Sequence, residues 1–283
     1  MFKRLELVLI AVCLFLTVAI VIDGLRKNSI AATAEFERVS DNALTALQSR
    51  MNLYLQSLNG AAGMMQTSEN TEYDDFEVYV QSLSIETYLP GINGIGFIAP
   101  VAADRLDEVI AKMRADGVAD FQVHPVTDND VKYIIKYIAP VSPNQQAVGL
   151  DISFEKGRRE AAERARETGL PQLTPRILLV QDATKKPGFL LLRPLYQETG
   201  SERGDFIGWV YAPFVGRNLL QGLTPDQHRT FDFHVYDGTV ADPETLIYSS
   251  DEGDEHVMGA YSRQYTVEFR PTLDNSIPKH SVV

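Results

Sequence analysis

The sequence has 283 residues, 45% of them apolar, which is enough for one large domain or for two small ones with appendages. Its formal net charge of -12 and pI of about 4.9 argue against a phosphate-binding surface, because nucleic-acid-binding proteins concentrate positive charge on one face. We therefore predict no nucleic-acid partner. The single cysteine, Cys13, excludes an internal disulfide, so the core must stabilise the fold.

The N-terminus is predicted to be a short cytoplasmic segment and a transmembrane anchor, together residues 1–28. Lys3 and Arg4 precede an uncharged apolar run, and residues 5–25 are long enough to cross a lipid bilayer. Basic residues before such a run place the N-terminus in the cytoplasm. We expect a single pass through the inner (plasma) membrane, with the bulk of the chain periplasmic or extracellular. The alternative is a cleaved signal peptide, with Ala-Thr-Ala at residues 32–34 as its site.

Residues 29–66 are predicted to form one stalk helix, because the segment has no proline and its glycines come late. Such a helix would span about 55 Å. Apolar residues recur along it at alternating spacings of four and three, which is typical of a coiled-coil seam; they are Leu47, Met51, Tyr54, Leu58, Ala61 and Met65. We expect the stalk helix to pair with itself in a homodimer. The alternative is that this stripe packs against its own domain.

Beyond the stalk the chain alternates helical and extended patterns, which predicts an α+β fold with antiparallel strand pairs. Helices are predicted at residues 76–83, 105–114 and 217–222, and strands at 94–98, 121–123, 132–138, 189–196, 207–211, 230–236, 245–249 and 261–269. The glycines of GINGIGF, residues 91–97, indicate a bend that leads into a strand and not a phosphate-binding loop, since no lysine or threonine follows them.

The most specific stretch is residues 149–181. A short extended piece, residues 148–152, carries Asp151 between apolar neighbours. Residues 155–168 are strong helix formers, with alanines on one face and charged side chains on the other. A glycine and a proline end this helix, and residues 177–180 return to strand.

Several short motifs within residues 73–214 resemble, in the same order, the CHASE family of extracytoplasmic ligand-sensing domains, found in plant cytokinin receptors and many bacterial sensor proteins. They are PGINGIGFIAPV (90–101), YIAP (137–140), RARETG (164–169), LTP (173–175) and GFLLLRPLY (188–196). The resemblance implies tandem PAS-like domains with mixed or antiparallel sheets. Residues 67–213 would be a membrane-distal ligand-binding domain and residues 214–283 a smaller membrane-proximal one. The resemblance also favours dimerisation along the stalk.

The resemblance implies that Asp151 anchors the ligand, because the matching aspartate of the plant receptors accepts hydrogen bonds from the N–H groups of an adenine ring. Leu173 matches a position that lines the pocket, and Thr174 follows it as a polar contact. Candidates for the pocket walls are Phe97, Tyr137, Pro140, Leu191, Arg193, Trp209 and Tyr211. The alternative is structural: Asp151 or Ser153 caps the helix that follows.

Two departures from the family pattern bear on the ligand. Arg193 replaces an aromatic residue, and Tyr211 and Ala212 replace glycines near the pocket floor. An inward-pointing arginine would require an anionic ligand or pairing with Asp151, because an unpaired buried charge is costly. The ligand is therefore expected to be either an adenine-type, cytokinin-like molecule or a small organic acid.

These patterns predict a sensor and not an enzyme: ligand binding in the distal domain would move the stalk and transmit a signal across the membrane. Relatives normally carry a histidine kinase or cyclic-di-nucleotide output domain, and none follows in this sequence, so we expect a longer receptor or a partner subunit. No cofactor or metal is predicted, because the five histidines lack partners at metal-ligand spacing. The alternatives are a structural or assembly protein that uses the stalk, and an anchored periplasmic hydrolase using Asp151 with His124.

Overall fold

An antiparallel sheet and one very long helix organise the chain. The computed structural model describes residues 2–67, 73–180, 187–199, 202–220, 234–238, 242–249, 265–266 and 281–282. The helices are α1 (Phe2–Thr67), α2 (Tyr73–Ser82), α3 (Ile85–Tyr88), α4 (Leu106–Ala115), α5 (Lys156–Thr168) and α6 (Gly216–Leu220). The strands are β1 (Ile95–Ala102), β2 (Val131–Ala139), β3 (Gln172–Leu173), β4 (Ile177–Leu178), β5 (Pro187–Thr199), β6 (Glu202–Val215), β7 (His234–Tyr236), β8 (Leu246–Ser249), β9 (Tyr265–Thr266) and β10 (Ser281–Val282).

The main sheet has six strands in the order β2-β1-β6-β5-β3, with β4 also pairing with β5. All of its strand pairs are antiparallel. The predicted α+β class is thus confirmed. Strands β1 and β2, which are consecutive in the chain, pair with each other, and so do β5 and β6. Most of the sheet is therefore built from two long antiparallel pairs.

The predicted anchor and stalk form one uninterrupted helix, α1, of 66 residues. It is the one helix in the described part of the chain that is long and apolar enough to cross a membrane, by length and composition. Large apolar side chains near its start lie in the open, including Leu14, 67% exposed, and Phe15, 73% exposed. Exposed apolar side chains of this kind are unfavourable in water.

The apolar stripe of the stalk is present, but it packs into the core of its own domain. Tyr54, Leu58 and Ala61 are fully buried, and the ring centroids of Tyr54 and Phe214 lie 5.6 Å apart. The expectation that this stripe is the surface that pairs with a second copy is therefore wrong, because the stripe already covers one apolar face of the sheet. The alternative that the stripe packs against its own domain is confirmed.

A glycine on α1 allows α2 to lie close against it. A Cβ atom at Gly60 would overlap the hydroxyl of Tyr79, which donates a 2.8 Å hydrogen bond to the Ser57 carbonyl. A Cβ atom at Gly63 would meet nothing within 4 Å. The two glycines of this helix therefore differ in their surroundings, and alanine substitutions at the two positions can be compared directly.

We expect Gly60→Ala to lower the free energy of unfolding by about 1–3 kcal/mol, because the Tyr79 ring must move. Gly63→Ala should raise it by about 0.5–1 kcal/mol, because alanine is the better helix former. Thermal unfolding of the two variants measures the difference. Equal effects would mean that α2 does not pack on α1 as described.

Both faces of the sheet are buried, and successive residues of β5 point to opposite faces. Leu191 and Leu195 face α1, whereas Leu190 and Leu192 face α5. Three alanines on α5, buried at 0% exposure, pack against the second face; they are Ala161, Ala162 and Ala165. Their small side chains let the helix approach the sheet closely.

Some local predictions need correction. Residues 121–123 are not a strand: Phe121 is a core residue beneath α4, and only His124 forms an isolated bridge, to Leu150. Residues 148–152 are not one continuous extended piece. They form a turn, then two residues in isolated β-bridges, and then the start of a 3-10 turn, because they pair with the outer edge of β2. The other helices and strands predicted up to residue 220 occur near the predicted bounds, with β5 and β6 longer and β4 shorter.

Part of the predicted membrane-proximal domain lies outside the described residues. Within it, β7 and β8 form an antiparallel pair. The Arg176 amide donates to Asp237 Oδ2 at 2.7 Å, and Ile247 packs on the core face that α1 covers. The predicted strand 261–269 is described only at Tyr265–Thr266, so a second PAS-like domain stays a prediction.

Candidate functional site

Asp151 lies at the outer edge of strand β2, fully buried. Its amide donates to the His124 carbonyl at 2.7 Å, and the residue forms an antiparallel bridge with Ile134. Backbone groups of residues 149–151 therefore pair with part of the open edge of the sheet without forming a strand.

The Asp151 carboxylate accepts four hydrogen bonds. Oδ1 accepts from the Tyr133 amide at 2.9 Å, and from the amide and hydroxyl of Ser153 at 3.0 and 2.6 Å. Oδ2 accepts from the Thr127 hydroxyl at 2.8 Å. Lys132, itself buried, donates to that same hydroxyl oxygen at 2.8 Å. Oδ2 thus keeps acceptor capacity, while Oδ1 is committed to the fold.

The predicted capping role falls on a neighbouring turn. Asp151 caps the 3-10 turn Ile152–Phe154, whereas α5 begins at Lys156 with Glu155 at its cap position. Ser153, the other predicted cap for α5, instead donates to Asp151, and its carbonyl accepts from Arg159 at 2.7 and 3.1 Å. Asp151 therefore has a structural role, and ligand contact at Asp151 remains a prediction.

The predicted pocket walls lie on both faces of the sheet. Phe97, Leu173 and Leu191 pack on the face that α1 covers, and Tyr137 adjoins them. Trp209 and Tyr211 pack on the face that α5 covers. The Pro140 carbonyl accepts from Asn144 at 2.8 Å. These residues do not line a single surface, because successive residues of a strand point to opposite faces.

Thr174 links β3 to β5. It is buried, and its hydroxyl oxygen accepts a 3.0 Å hydrogen bond from the Leu190 amide. Its own amide donates to the Leu190 carbonyl at 3.0 Å. Both contacts are internal to the fold.

Arg193 faces the stalk helix and not Asp151. Its Nε donates to Asn59 Oδ1 on α1 at 2.5 Å, and its Nη1 donates to the Pro194 carbonyl at 3.2 Å. Burial lowers the pKa of this guanidinium. Arg193 therefore contacts the neutral side-chain amide of Asn59 on the stalk helix instead of Asp151, and no ion pair of its guanidinium occurs among the described residues.

The α5 face carries a dense aromatic layer. The Trp209 indole donates to the Ala162 carbonyl at 2.9 Å, and its ring centroid lies 4.7 Å from those of Tyr133 and Phe206. Tyr211 is the next inward-facing residue of β6, and a Cβ atom at Gly96 would lie 2.5 Å from its Cε1. The Tyr211 ring therefore lies directly over β1.

Sequence reasoning missed Asn144, a fully buried residue of the 3-10 helix Ser142–Ala147. Its Nδ2 donates to the carbonyls of Asn93 and Pro140 at 2.7 and 2.8 Å. The signal that could have revealed it is the glycine pair of GINGIGF: a Cβ atom at Gly94 would lie 2.9 Å from Asn144 Nδ2. Two glycines two residues apart leave one face of a strand open for side chains from elsewhere.

Comparisons with known proteins identify a sequence family. The family model for the CHASE domain matches residues 69–248. No curated protein matches the chain. Among the described residues, no group of histidine, cysteine, aspartate and glutamate could hold a metal ion.

Three solved structures are similar at low identity, all with TM-scores below 0.5. An extracellular ligand-binding receptor from Desulfohalobium retbaense gives a TM-score of 0.48 at 16% identity; 82% of this chain is covered, but only 35% of that one. The ligand-binding domain of the Pseudomonas aeruginosa amino-acid chemoreceptor PctC, in complex with GABA, gives 0.43 at 11% identity, covering 81% and 83% of the two chains. The sensory domain of the Campylobacter jejuni chemoreceptor Tlp3, with isoleucine bound, gives 0.37 at 10% identity, covering 78% and 74%.

Proposed function

Because the chain belongs to the CHASE-domain family, we propose that it is a membrane-anchored sensor module that binds a small molecule outside the cytoplasm and transmits the signal through α1. The observation that carries this proposal is the continuity of α1. One helix joins an exposed apolar segment, suited to a bilayer, to a stripe buried in the core of the sheet. A shift of the sheet would therefore move the helix that enters the membrane.

Polar contacts between α1 and the sheet support transmission along this route. Arg193 bonds Asn59, and Gln66 Nε2 donates to the Tyr196 carbonyl at 2.7 Å. Arg50 Nη1 donates to the Leu219 carbonyl at 2.5 Å. These bonds are directional, so a ligand that displaces β5 or β6 would change which of them can form.

The proposal includes a homodimer, formed through a surface of α1 other than its buried apolar stripe. A second copy would pack on the face of α1 that points away from the sheet. That face is exposed and largely polar in the described structure, and includes Thr45, Ser49, Asn52, Leu53 and Gln56. The lipid bilayer would hold the two anchors side by side. Dimerisation would then couple two sensors.

The ligand would be an adenine-type molecule or a small organic acid, bound by the membrane-distal domain. Asp151 Oδ2, with its remaining acceptor capacity, would contact it, together with those predicted wall residues that lie on one face of the sheet. This role makes the chain a sensor and not an enzyme. Family membership supports that choice.

Ligand binding is testable by thermal shift on the full chain in detergent micelles. We expect at least one compound from a screen of adenine derivatives and small organic acids to raise the melting temperature by about 3–5 °C at ten times its Kd. Lipids alone should not reproduce the shift. If no compound changes the melting temperature, the chain is not a sensor of these ligand classes.

A further inference from the structure

The β7–β8 ribbon, described at residues 234–238 and 242–249, is attached to the main sheet by a few specific contacts. Within the described part of the chain, β7 and β8 pair only with each other. A two-stranded ribbon on its own is at best marginally stable in water, so its order depends on the surface against which it packs. The contacts at that surface therefore determine how the ribbon responds to the rest of the molecule.

An apolar contact lies at the end of β6. A Cβ atom at Gly216, where α6 begins, would lie 2.5 Å from Ile247 Cγ2, so the Ile247 side chain lies directly against this backbone. Ile247 also packs on the core face that α1 covers, as do Val235 and Tyr248. Apolar contacts of this kind are not directional, so they hold the ribbon on the sheet without fixing its orientation.

The directional contacts come from Arg176. Its amide donates to Asp237 Oδ2 at 2.7 Å, and its Nη1 donates to the Glu244 carbonyl at 2.9 Å. Asp237 directly follows β7 and Glu244 lies just before β8, so one arginine contacts both arms of the ribbon at its turn. The Asp237 amide also donates to the Thr245 carbonyl at 2.8 Å, which closes the same end of the ribbon.

Arg176 is the last of three consecutive residues that contact three different elements. Thr174 is joined to β5 by two 3.0 Å hydrogen bonds with Leu190, one through its hydroxyl and one through its amide. Pro175 lies against α5, where a Cβ atom at Gly157 would be 3.4 Å from Pro175 Cγ. Arg176 then contacts the ribbon.

This connection is short. Three residues reach at most about 10 Å even when fully extended, so a residue fixed to β5 at one end leaves little slack at the other. Leu173, one of the predicted pocket residues, ends β3 directly before Thr174. A displacement of β3 or β5 would therefore be carried to Arg176.

Resting on the proposed sensor function, we propose that residues 174–176 form a coupler, which passes a displacement of the ligand-binding sheet to the β7–β8 ribbon through Arg176. The signal then has a second route out of the predicted membrane-distal domain, besides α1. A ligand that shifts β3 or β5 reorients the ribbon by changing the two Arg176 hydrogen bonds. Arg176 is a positioning residue in this scheme.

Hydrogen exchange of the full chain in detergent micelles tests the coupler without a ligand. Peptides that cover β7 and β8 report on the ribbon, and peptides that cover β5 and β6 report on the sheet. We expect Asp237→Ala to speed exchange in the ribbon about threefold to tenfold and to leave the sheet unchanged, because it removes the acceptor of the Arg176 amide. Asp237→Asn keeps an acceptor oxygen and should exchange as the natural chain does.

A mutant cycle tests the link to the sheet. Thr174→Val keeps the shape of the side chain but removes the hydroxyl that accepts from β5. We expect it to speed ribbon exchange about threefold, but to have no further effect once Arg176→Ala and Asp237→Ala have together removed both ribbon contacts. The control at the opposite edge of the sheet is Thr127→Val, which loses a hydrogen bond to Asp151 and should leave ribbon exchange unchanged.

Three results would overturn the coupler: unchanged ribbon exchange in Asp237→Ala, unchanged ribbon exchange in Thr174→Val, or an effect of Thr174→Val that persists after both ribbon contacts are removed. Any of these leaves the sensor function standing if a compound of the ligand screen still binds. Such a compound should change ribbon exchange in the natural chain but not in the variant without both contacts. A screen without a binding compound would reject the sensor function and, with it, the signalling role of the coupler, even if the mutant cycle shows the mechanical link.

Discussion

Asp151→Ala is expected to lower the free energy of unfolding by about 3–5 kcal/mol, the largest effect of any polar substitution discussed for this chain. The carboxylate satisfies two backbone amides, those of Tyr133 and Ser153, and two hydroxyl groups in a fully buried position. Alanine would leave these donors without an acceptor. The edge of β2 and the turn before α5 should both loosen.

Urea unfolding followed by the fluorescence of Trp209 measures this loss. Trp209 is the only tryptophan of the chain and is buried against α5, so its emission reports on the same part of the fold. Asp128→Ala, at the exposed position directly after Thr127, is the matched control and should change the stability by less than about 0.5 kcal/mol. A loss below about 1 kcal/mol for Asp151→Ala would contradict the structural role.

Leu58→Ala should cost about 2–5 kcal/mol, because the side chain is fully buried between α1 and the sheet. Leu53→Ala on the same helix provides the comparison. Leu53 is 41% exposed, and its truncation should cost well under 1 kcal/mol.

The dependence on protein concentration distinguishes a core stripe from a dimer seam. If Leu58 packs within its own chain, the melting temperature of Leu58→Ala should fall by the same amount at every protein concentration. A loss that grows on dilution would indicate that the stripe joins two copies. Similar losses for Leu53→Ala and Leu58→Ala would contradict the orientation of α1.

The elements that the sequence predicts well are those whose pattern is local. The apolar N-terminal run, the stripe on α1 and the alanine face of α5 follow from helical periodicity, and β1, β2, β5 and β6 follow from runs of β-formers. What covers the α1 stripe was not predictable, because a stripe that packs on a sheet and one that packs on a second helix look alike in sequence. Residues 121–123 were mistaken for a strand because their apolar residues serve a core beneath α4 and not a ladder.

The candidate site was predictable only in part. The motif order indicates the family correctly. It also draws attention to Asp151, which the structure shows to be a fully buried hydrogen-bond acceptor. It does not reveal the phase of β5, so it does not determine whether Arg193 points into the pocket; the strand turns Arg193 toward Asn59 on α1. Nor does it reveal that Asn144 lies over Gly94 and Tyr211 over Gly96, because these contacts join residues far apart in the chain and arise only through the long-range pairing of β1 with β2 and β6.

The most direct test of the sensor function is the melting temperature of the full chain in detergent micelles, recorded with and without each compound of the adenine-derivative and organic-acid screen. The sensor function predicts a saturable rise of about 3–5 °C for at least one compound at ten times its Kd. Melting curves that are unchanged for every compound at millimolar concentration would contradict it.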